Sequence, residues 1–244
     1  MSYSAITLTT KNSLTNEPNR YVLKLSEEMN LRDSLICLTH CSIFYTWKNV
    51  KSIYGNNKLS YTHLATNKTH NVTIPDGSYD ISDINNFIHL TMIQNGYNKS
   101  PDEKFGINVY PNPVHYRITV SVNDEFELNM EPGFAEFLGF DQSQLPIKDD
   151  ELHGNNLSKL ERVNAVIVNC NLAENNYNFS SNALYTFTPE QEFGTLLSIK
   201  PYYPIWTKCI NAAYNYIEVW FTDQDNRPLE IEDNVLIALH IKDM

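Results

Sequence analysis

Glycine is scarce in this chain, with eight glycines among 244 residues. That scarcity argues against a glycine-rich nucleotide-binding fold, and the phosphate-cradling motif Gly-x-x-x-x-Gly-Lys does not occur. The hydrolase motif Gly-x-Ser-x-Gly and the zinc motif His-Glu-x-x-His are missing too. The seven histidines stand singly, without the His-x-His spacing of a cupin metal site. We therefore expect no enzyme activity, no metal and no cofactor, and a cupin-type enzyme is the least favoured alternative.

Positive charge is also sparse, because 18 Lys and Arg stand against 29 Asp and Glu, for a net charge of -11. The densest basic stretch, Lys48 to Lys58, holds only three lysines. A nucleic-acid groove needs concentrated positive charge, so we expect no direct nucleic-acid binding. No run of 18 apolar residues occurs, which predicts no membrane insertion. The N-terminus lacks the basic and apolar parts of a signal peptide, so we expect synthesis in the cytosol.

The four cysteines predict neither disulfides nor a metal site. Cys37 and Cys41 lie in an apolar run with His40 between them. Side chains alternate along a strand, so a regular strand would turn both cysteines to one face and His40 to the other. Structural zinc would also need a second ligand pair at short spacing, and the sequence has none. We expect reduced cysteines in a protein core.

The first 65 residues show apolar residues with a period of two. Thr, Tyr, Ile and Val dominate these segments, and short polar turns separate them. This pattern predicts four strands: Ile6–Thr9, Tyr21–Leu25, Leu35–Trp47 and Leu59–Leu64.

The pattern changes between residues 74 and 140, where we expect a small inserted α/β unit. Asp80 or Ser82 can cap a helix that ends near Gln94. The helical spacing of its apolar residues predicts one buried face. Two predicted strands and a short helical piece follow. We expect Ile84, Phe87 and Ile88 to bury against Ile118 and Val120, and Phe134, Phe137, Leu138 and Phe140 to close the other side of the unit.

The remaining sequence again predicts strands. Those at Tyr214–Thr222 and Asn234–Lys242 carry apolar residues on both faces, which is typical of a central strand or one that meets a partner. About ten strands and one clear helix favour a mainly β protein, a β-sandwich or jelly roll. We assign residues 1–73 and 141–244 to this sandwich and residues 74–140 to the insertion.

Two C-terminal segments each allow two interpretations. Asp223, Asp225 and Asn226 offer oxygen ligands for Ca²⁺, but Asp-Asn between two strands is ordinary turn chemistry, and we favour the turn. The surplus of aromatic residues in this half suggests an interface, where Tyr and Trp are enriched. Our interface candidates are Tyr203, Trp206 and Trp220, each of which would also suit a core.

A series of short motifs, spread over most of the chain, occurs in an order typical of one family. They are Tyr54-Gly55-Asn56-Asn57-Lys58, Ile74-Pro75-Asp76-Gly77-Ser78-Tyr79, Ile84-Asn85-Asn86-Phe87-Ile88, Phe137-Leu138-Gly139-Phe140, Val168-Asn169-Cys170-Asn171, Leu184-Tyr185-Thr186-Phe187, Thr222-Asp223-Gln224-Asp225 and Leu236-Ile237-Ala238-Leu239-His240-Ile241-Lys242. In these motifs and their order the chain resembles the minor capsid (penton) proteins of Polinton/Maverick elements and adintoviruses. One departure is Asn226-Arg227-Pro228, where the family has Gly and a longer connection, so the last hairpin should differ in shape.

The resemblance implies a structural virion protein with a jelly-roll fold. It also implies homopentamers at the vertices of an icosahedral capsid, beside a double-jelly-roll major capsid protein. The alternative is a non-catalytic β-sandwich at a cell or virion surface that binds a glycan or protein ligand through Tyr202, Tyr203 and Trp206.

Overall fold

The computed structural model divides the chain into two compact units, Met1–Trp47 with Val163–Met244 and Lys48–Arg162. The second unit is therefore inserted in the sequence of the first. The described residues are 3–15, 17, 19–97, 104–160, 163–176, 180–232 and 234–244.

The first unit is built of antiparallel strands. Its described strands are β1 (Tyr3–Thr9), β2 (Arg20–Leu31), β3 (Ser34–Phe44), β9 (Val166–Cys170), β10 (Ala173–Glu174), β11 (Ala183–Phe187), β12 (Leu196–Ile199), β13 (Thr207–Cys209), β14 (Ala212–Asp223) and β15 (Leu236–Asp243).

These strands form two sheets with a nested order of pairing. Sheet A runs β1-β15-β3-β13-β10, and β12 pairs with the far end of β3. Sheet B runs β11-β9-β14-β2. The first strand thus pairs with the last, β2 with β14, β3 with β12 and β13, and β9 with β11. A long hairpin rolled into two sheets gives this order, which is that of a jelly roll. The predicted mainly β, jelly-roll class is confirmed.

One core lies between the two sheets, because alternate residues of each strand turn inward. Ile36 and Leu38 from sheet A and Val168 and Phe221 from sheet B are at most 1% exposed and belong to one cluster of buried residues. Trp220, which has the opposite parity on β14, is half-buried and lies outside that cluster. The period of two in the sequence is therefore the period of burial.

A β-bulge in β3 changes which way the cysteines face. The pairing with β15 shifts between Ala238 and Leu239, so Thr39 has no partner of its own, and its hydroxyl group donates a hydrogen bond of 3.0 Å to the Ala238 carbonyl oxygen. The extra residue inverts the alternation. Cys41 joins the core, whereas Cys37 faces the other side, as His40 does. The prediction that both cysteines share a face was wrong, because it assumed a regular strand.

The second unit contains a five-stranded antiparallel sheet and two helices. The described strands and α-helices of this unit are β4 (Lys58–His63), β5 (Lys68–Thr73), α1 (Ile81–Gln94), β6 (Ile107–Asn112), β7 (Arg117–Met130), α2 (Pro132–Leu138) and β8 (Ile147–His153). Strands β4 and β6 pair with different halves of the long strand β7, β8 pairs with both halves, and β5 pairs with β4.

Helix α1 begins at an N-cap formed by Asp80, whose carboxylate accepts a hydrogen bond of 2.8 Å from the Asp83 backbone N–H. Its buried face carries Ile81, Ile84, Ile88 and Met92. Ile84 and Ile88 share a core with Ile118 and Val120 of β7, as predicted. Phe87 also packs against this core, but it is only half-buried, because it lies at the edge of the buried stripe.

Polar side chains fix α1 against β6. The Asn85 side-chain oxygen accepts a hydrogen bond of 2.8 Å from the Val109 backbone N–H, and a ring nitrogen of His89 lies 3.0 Å from the Ile107 carbonyl oxygen. The predicted aromatic cluster is also present, since Phe134, Phe137, Leu138 and Phe140 are all buried in this second core.

The second unit is wider than the predicted insertion at residues 74–140. Residues 48–73 belong to it because β4 pairs with β7, and residues 141–162 belong to it because β8 does. The boundaries that the sequence suggested fell inside this sheet. These boundaries were placed where the spacing of the apolar residues changes. Strands on either side of such a change can still pair in one sheet.

Candidate subunit interface

The segment Tyr202–Trp206 connects β12 to β13 and exposes large apolar side chains. Tyr202 is 89% exposed, Tyr203 73% and Ile205 58%. Pro201 and Pro204 restrict the backbone, because proline fixes φ. We call this stretch the aromatic segment. Side chains of this size, held in place and left in water, are the type that anchors protein interfaces.

The two tyrosine rings of the aromatic segment pack edge to face. Their centroids lie 4.6 Å apart, and the ring planes meet at 86°. Two perpendicular rings do not give the flat, shared surface on which a sugar ring would stack. The geometry of Tyr202 and Tyr203 therefore does not favour the glycan-binding alternative.

Trp206 is half-buried at the end of the aromatic segment. The Lys242 ammonium group lies 3.9 Å from the centre of its indole ring, a cation–π contact. Trp206 directly precedes β13, in which Thr207 pairs with Ile36, so an antiparallel continuation of that register places Trp206 beside Cys37. Cys37 is 0% exposed although it faces away from the sandwich core. Burial raises the pKa of this thiol, while a backbone hydrogen bond from His240 and the charge of Lys242 act to lower it.

Trp220 lies on β14 in sheet B, and its indole faces outward because Val219 and Phe221 on either side are fully buried. It pairs in register with Asn169 and Arg20. The Arg20 guanidinium reaches Glu218, two residues along the same face, at 2.9 Å. Trp220 therefore stands beside an ion pair, not in the core.

The structure brings Tyr203 and Trp206 together in one segment on the side of sheet A and leaves Trp220 on the other sheet. None of the three belongs to the core cluster of the first unit. Sequence reasoning missed the residues next to the aromatic segment, above all Lys208 and Lys242. The sequence does contain a signal for these lysines. Each one alternates along its strand with residues that face the core, so its side chain should point outward.

The acidic segment after β14 forms a turn, as the sequence favoured. One carboxylate oxygen of Asp223 accepts hydrogen bonds from the backbone N–H groups of Asp225 and Arg227, at 2.9 Å and 2.8 Å. Asn226 adopts a positive φ of 62°, which Asn tolerates in turns. Two backbone donors therefore occupy an oxygen that the calcium alternative would use.

Three of the cysteines have thiols of low reactivity. Burial raises the pKa of Cys41, Cys170 and Cys209 to about 12 each, so these thiols stay protonated at neutral pH. Among the residues that the structure describes, no group of three or more His, Cys, Asp or Glu could hold a metal ion. In that same part of the chain, no helix is long and apolar enough to cross a membrane.

The comparisons with known proteins concern the fold. No protein-family model matches the chain, and no curated protein matches it. Among the matching solved structures is the crystal structure of the selenomethionine-labelled mavirus penton protein. The two chains are 13% identical, the match covers 100% of each, and the TM-score is 0.53. The chain therefore has a fold like that of a viral penton protein.

Proposed function

We propose that this chain is a structural virion protein, the penton subunit at the vertices of an icosahedral particle of the Polinton/adintovirus type. The observation that carries the proposal is the likeness to the mavirus penton protein, because it covers 100% of both chains and so includes the inserted unit as well as the jelly roll. A jelly roll alone would be weak support, since the architecture serves many functions. The ordered motifs of the sequence support the same family.

The proposed assembly is a homopentamer beside a double-jelly-roll major capsid protein. A ring of identical subunits closes only when one surface meets a different surface of the next copy. The chain carries apolar side chains outside its core on both sheets, at the aromatic segment and at Trp220. We take Tyr203, Trp206 and Trp220 as anchors of these contacts. The role requires no catalysis, cofactor, nucleic-acid binding or membrane insertion.

The first test is the solution mass of the purified chain by sedimentation velocity. A homopentamer has a mass of about 141 kDa, five times the 28.2 kDa of the chain.

The second test is co-expression with a double-jelly-roll major capsid protein, followed by electron microscopy of the particles. We expect density for this chain at the fivefold vertices. A strict monomer that is absent from assembled shells would overturn the proposal, and a specific ligand on a glycan array would favour the binding-module alternative.

A further inference from the structure

One side of sheet A faces away from the sandwich core and carries side chains that are exposed or half-buried, except at Cys37. These side chains alternate along each strand with residues buried in the core, so they point to the opposite face of the sheet. We call these residues the outer face of sheet A. They are Ala5, Thr7, Leu35, Cys37, His40, Ser42, Phe44, Glu174, Leu196, Ser198, Lys208, Leu236, Ala238, His240 and Lys242.

The outer face of sheet A has one carboxylate, Glu174 of β10, although the chain has 29 Asp and Glu and a net charge of -11. Its permanent positive charges are the ammonium groups of Lys208 and Lys242, which flank Leu35 in the strand register. Glu174 pairs in register with Lys208, so two cations and one carboxylate give this face a small positive charge. In a protein this acidic, a face with more cations than carboxylates has a potential unlike that of the rest of the chain.

The composition of this face fits a protein interface. Its middle carries the small residues Ala5, Thr7 and Ala238 on adjoining strands, next to His40, whose ring nitrogen lies 3.2 Å from the Ser198 hydroxyl oxygen. At one end Leu196, 49% exposed, lies beside Phe44. At the other end stands the aromatic segment, attached through the contact between Trp206 and Lys242. A centre of small and polar side chains with apolar and aromatic residues at its ends fits a protein partner.

We propose that the outer face of sheet A binds an acidic surface of a neighbouring copy of this chain in the ring. The inference rests on the proposed function and identifies the partner of the aromatic segment. An identical face offers little counter-charge, because it carries the same two cations and a single carboxylate, Glu174, which already pairs in register with Lys208. The remaining surface of the same chain holds the acidic excess, so a contact between different surfaces is the one that pairs opposite charges. Contacts of that kind close into rings.

The experiment introduces negative charge on this face and measures assembly. Thr7→Glu and Lys208→Glu place carboxylates at two exposed positions on β1 and β13, singly and together. Thr73→Glu and Lys68→Glu are matched controls, since they make the same substitutions on exposed positions of β5 in the second unit. Sedimentation velocity over a concentration series gives the dissociation constant of each assembly. Circular dichroism and thermal unfolding identify variants that fold.

We expect the paired variant on sheet A to dissociate at least about tenfold more readily than the wild type, with each single variant in between, while both controls stay pentameric. Exposed single substitutions such as Lys208→Glu keep the test valid if the paired variant does not fold. Pentamers that persist in every folded sheet A variant would overturn this inference and leave the proposed function standing. A wild-type chain that never forms pentamers, even with the major capsid protein, would overturn both.

Discussion

Lys242 places its ammonium group 3.9 Å from the centre of the Trp206 ring, on the side of sheet A where Cys37 is fully buried outside the sandwich core. A residue on the outside of a sheet can be buried only if something lies over it. The register places Trp206 next to Cys37, and the charge of Lys242 acts on the pKa of the thiol. Trp206, His240 and Lys242 are therefore the side chains best placed to cover this cysteine.

The first prediction is that Trp206→Ala exposes one thiol. Native wild-type protein should react slowly with a disulfide reagent, because all four free cysteines are buried. Removing the indole should make Cys37 reactive while the others stay protected. A Trp206→Ala, Cys37→Ser double variant should lose the new reactivity, and Trp220→Ala, on the other sheet, should not acquire it. If no thiol of the Trp206→Ala protein reacts faster than in the wild type, other atoms cover Cys37.

The second prediction compares two glycines of positive φ. Gly139 follows α2 with a φ of +89°, and a Cβ there would lie closer than 3.0 Å to the carbonyl oxygen of Asn156. Gly96, with a φ of +84°, has open space where its Cβ would be. Gly96→Ala should cost about 1–2 kcal/mol from the backbone alone. Gly139→Ala should cost about 1–3 kcal/mol more, because the backbone must shift. Equal unfolding free energies by chemical denaturation would contradict this account.

The third prediction concerns the buried face of α1. Ile84 is 0% exposed, so Ile84→Ala should destabilise the second unit by about 2–5 kcal/mol. Phe87 is half-buried, and Phe87→Ala should cost only about 1–2 kcal/mol in spite of its larger side chain. All three tryptophans lie in the first unit, so amide hydrogen exchange in α1 is the suitable measurement. A larger effect at Phe87 than at Ile84 would reverse the assigned face.

The sequence predicted the strands in which apolar and polar residues alternate. It did not predict polar strands that are held in place by pairing with neighbouring strands. Strands β14 and β15 were predicted because their inward residues are apolar. Strands β5 and β8 are polar, and their order comes from the neighbours β4 and β7. A single bulge at Thr39 turns Cys37 to the face opposite Cys41, and the sequence does not show where the register of two paired strands shifts. The sequence also does not show which face of a strand turns toward the core, so it left open whether Trp206 and Trp220 are core residues.

The fourth prediction is a pH dependence of α1. Hydrogen bonds from the Ser82 hydroxyl group and the Asp83 backbone lower the pKa of Asp80 below its ordinary value. A carboxylate of lowered pKa stabilises the fold above its unfolded pKa, and this contribution disappears as the pH falls through the folded value. Asp80→Ala should cost about 1 kcal/mol near neutral pH. The difference in hydrogen-exchange protection of α1 should therefore shrink as the pH falls below the ordinary pKa of an aspartate, about 4. A difference that does not change with pH would exclude the charge as its cause.

The last prediction concerns the two outward tryptophans. Neither Trp206 nor Trp220 belongs to the core cluster, so the double variant Trp206→Ala, Trp220→Ala should keep the circular dichroism spectrum of the wild type. The pentamer should nevertheless dissociate, because large side chains at the centre of an interface account for most of its binding energy, about 2 kcal/mol or more each. Each single variant should raise the dissociation constant of the pentamer by a smaller amount than the double variant. The two indoles lie on different sheets, so each substitution removes an anchor from only one of the two surfaces of a subunit. Sedimentation velocity separates the outcomes. Folded monomers support both assignments, intact pentamers remove both residues from the interface, and unfolded protein places them in the core.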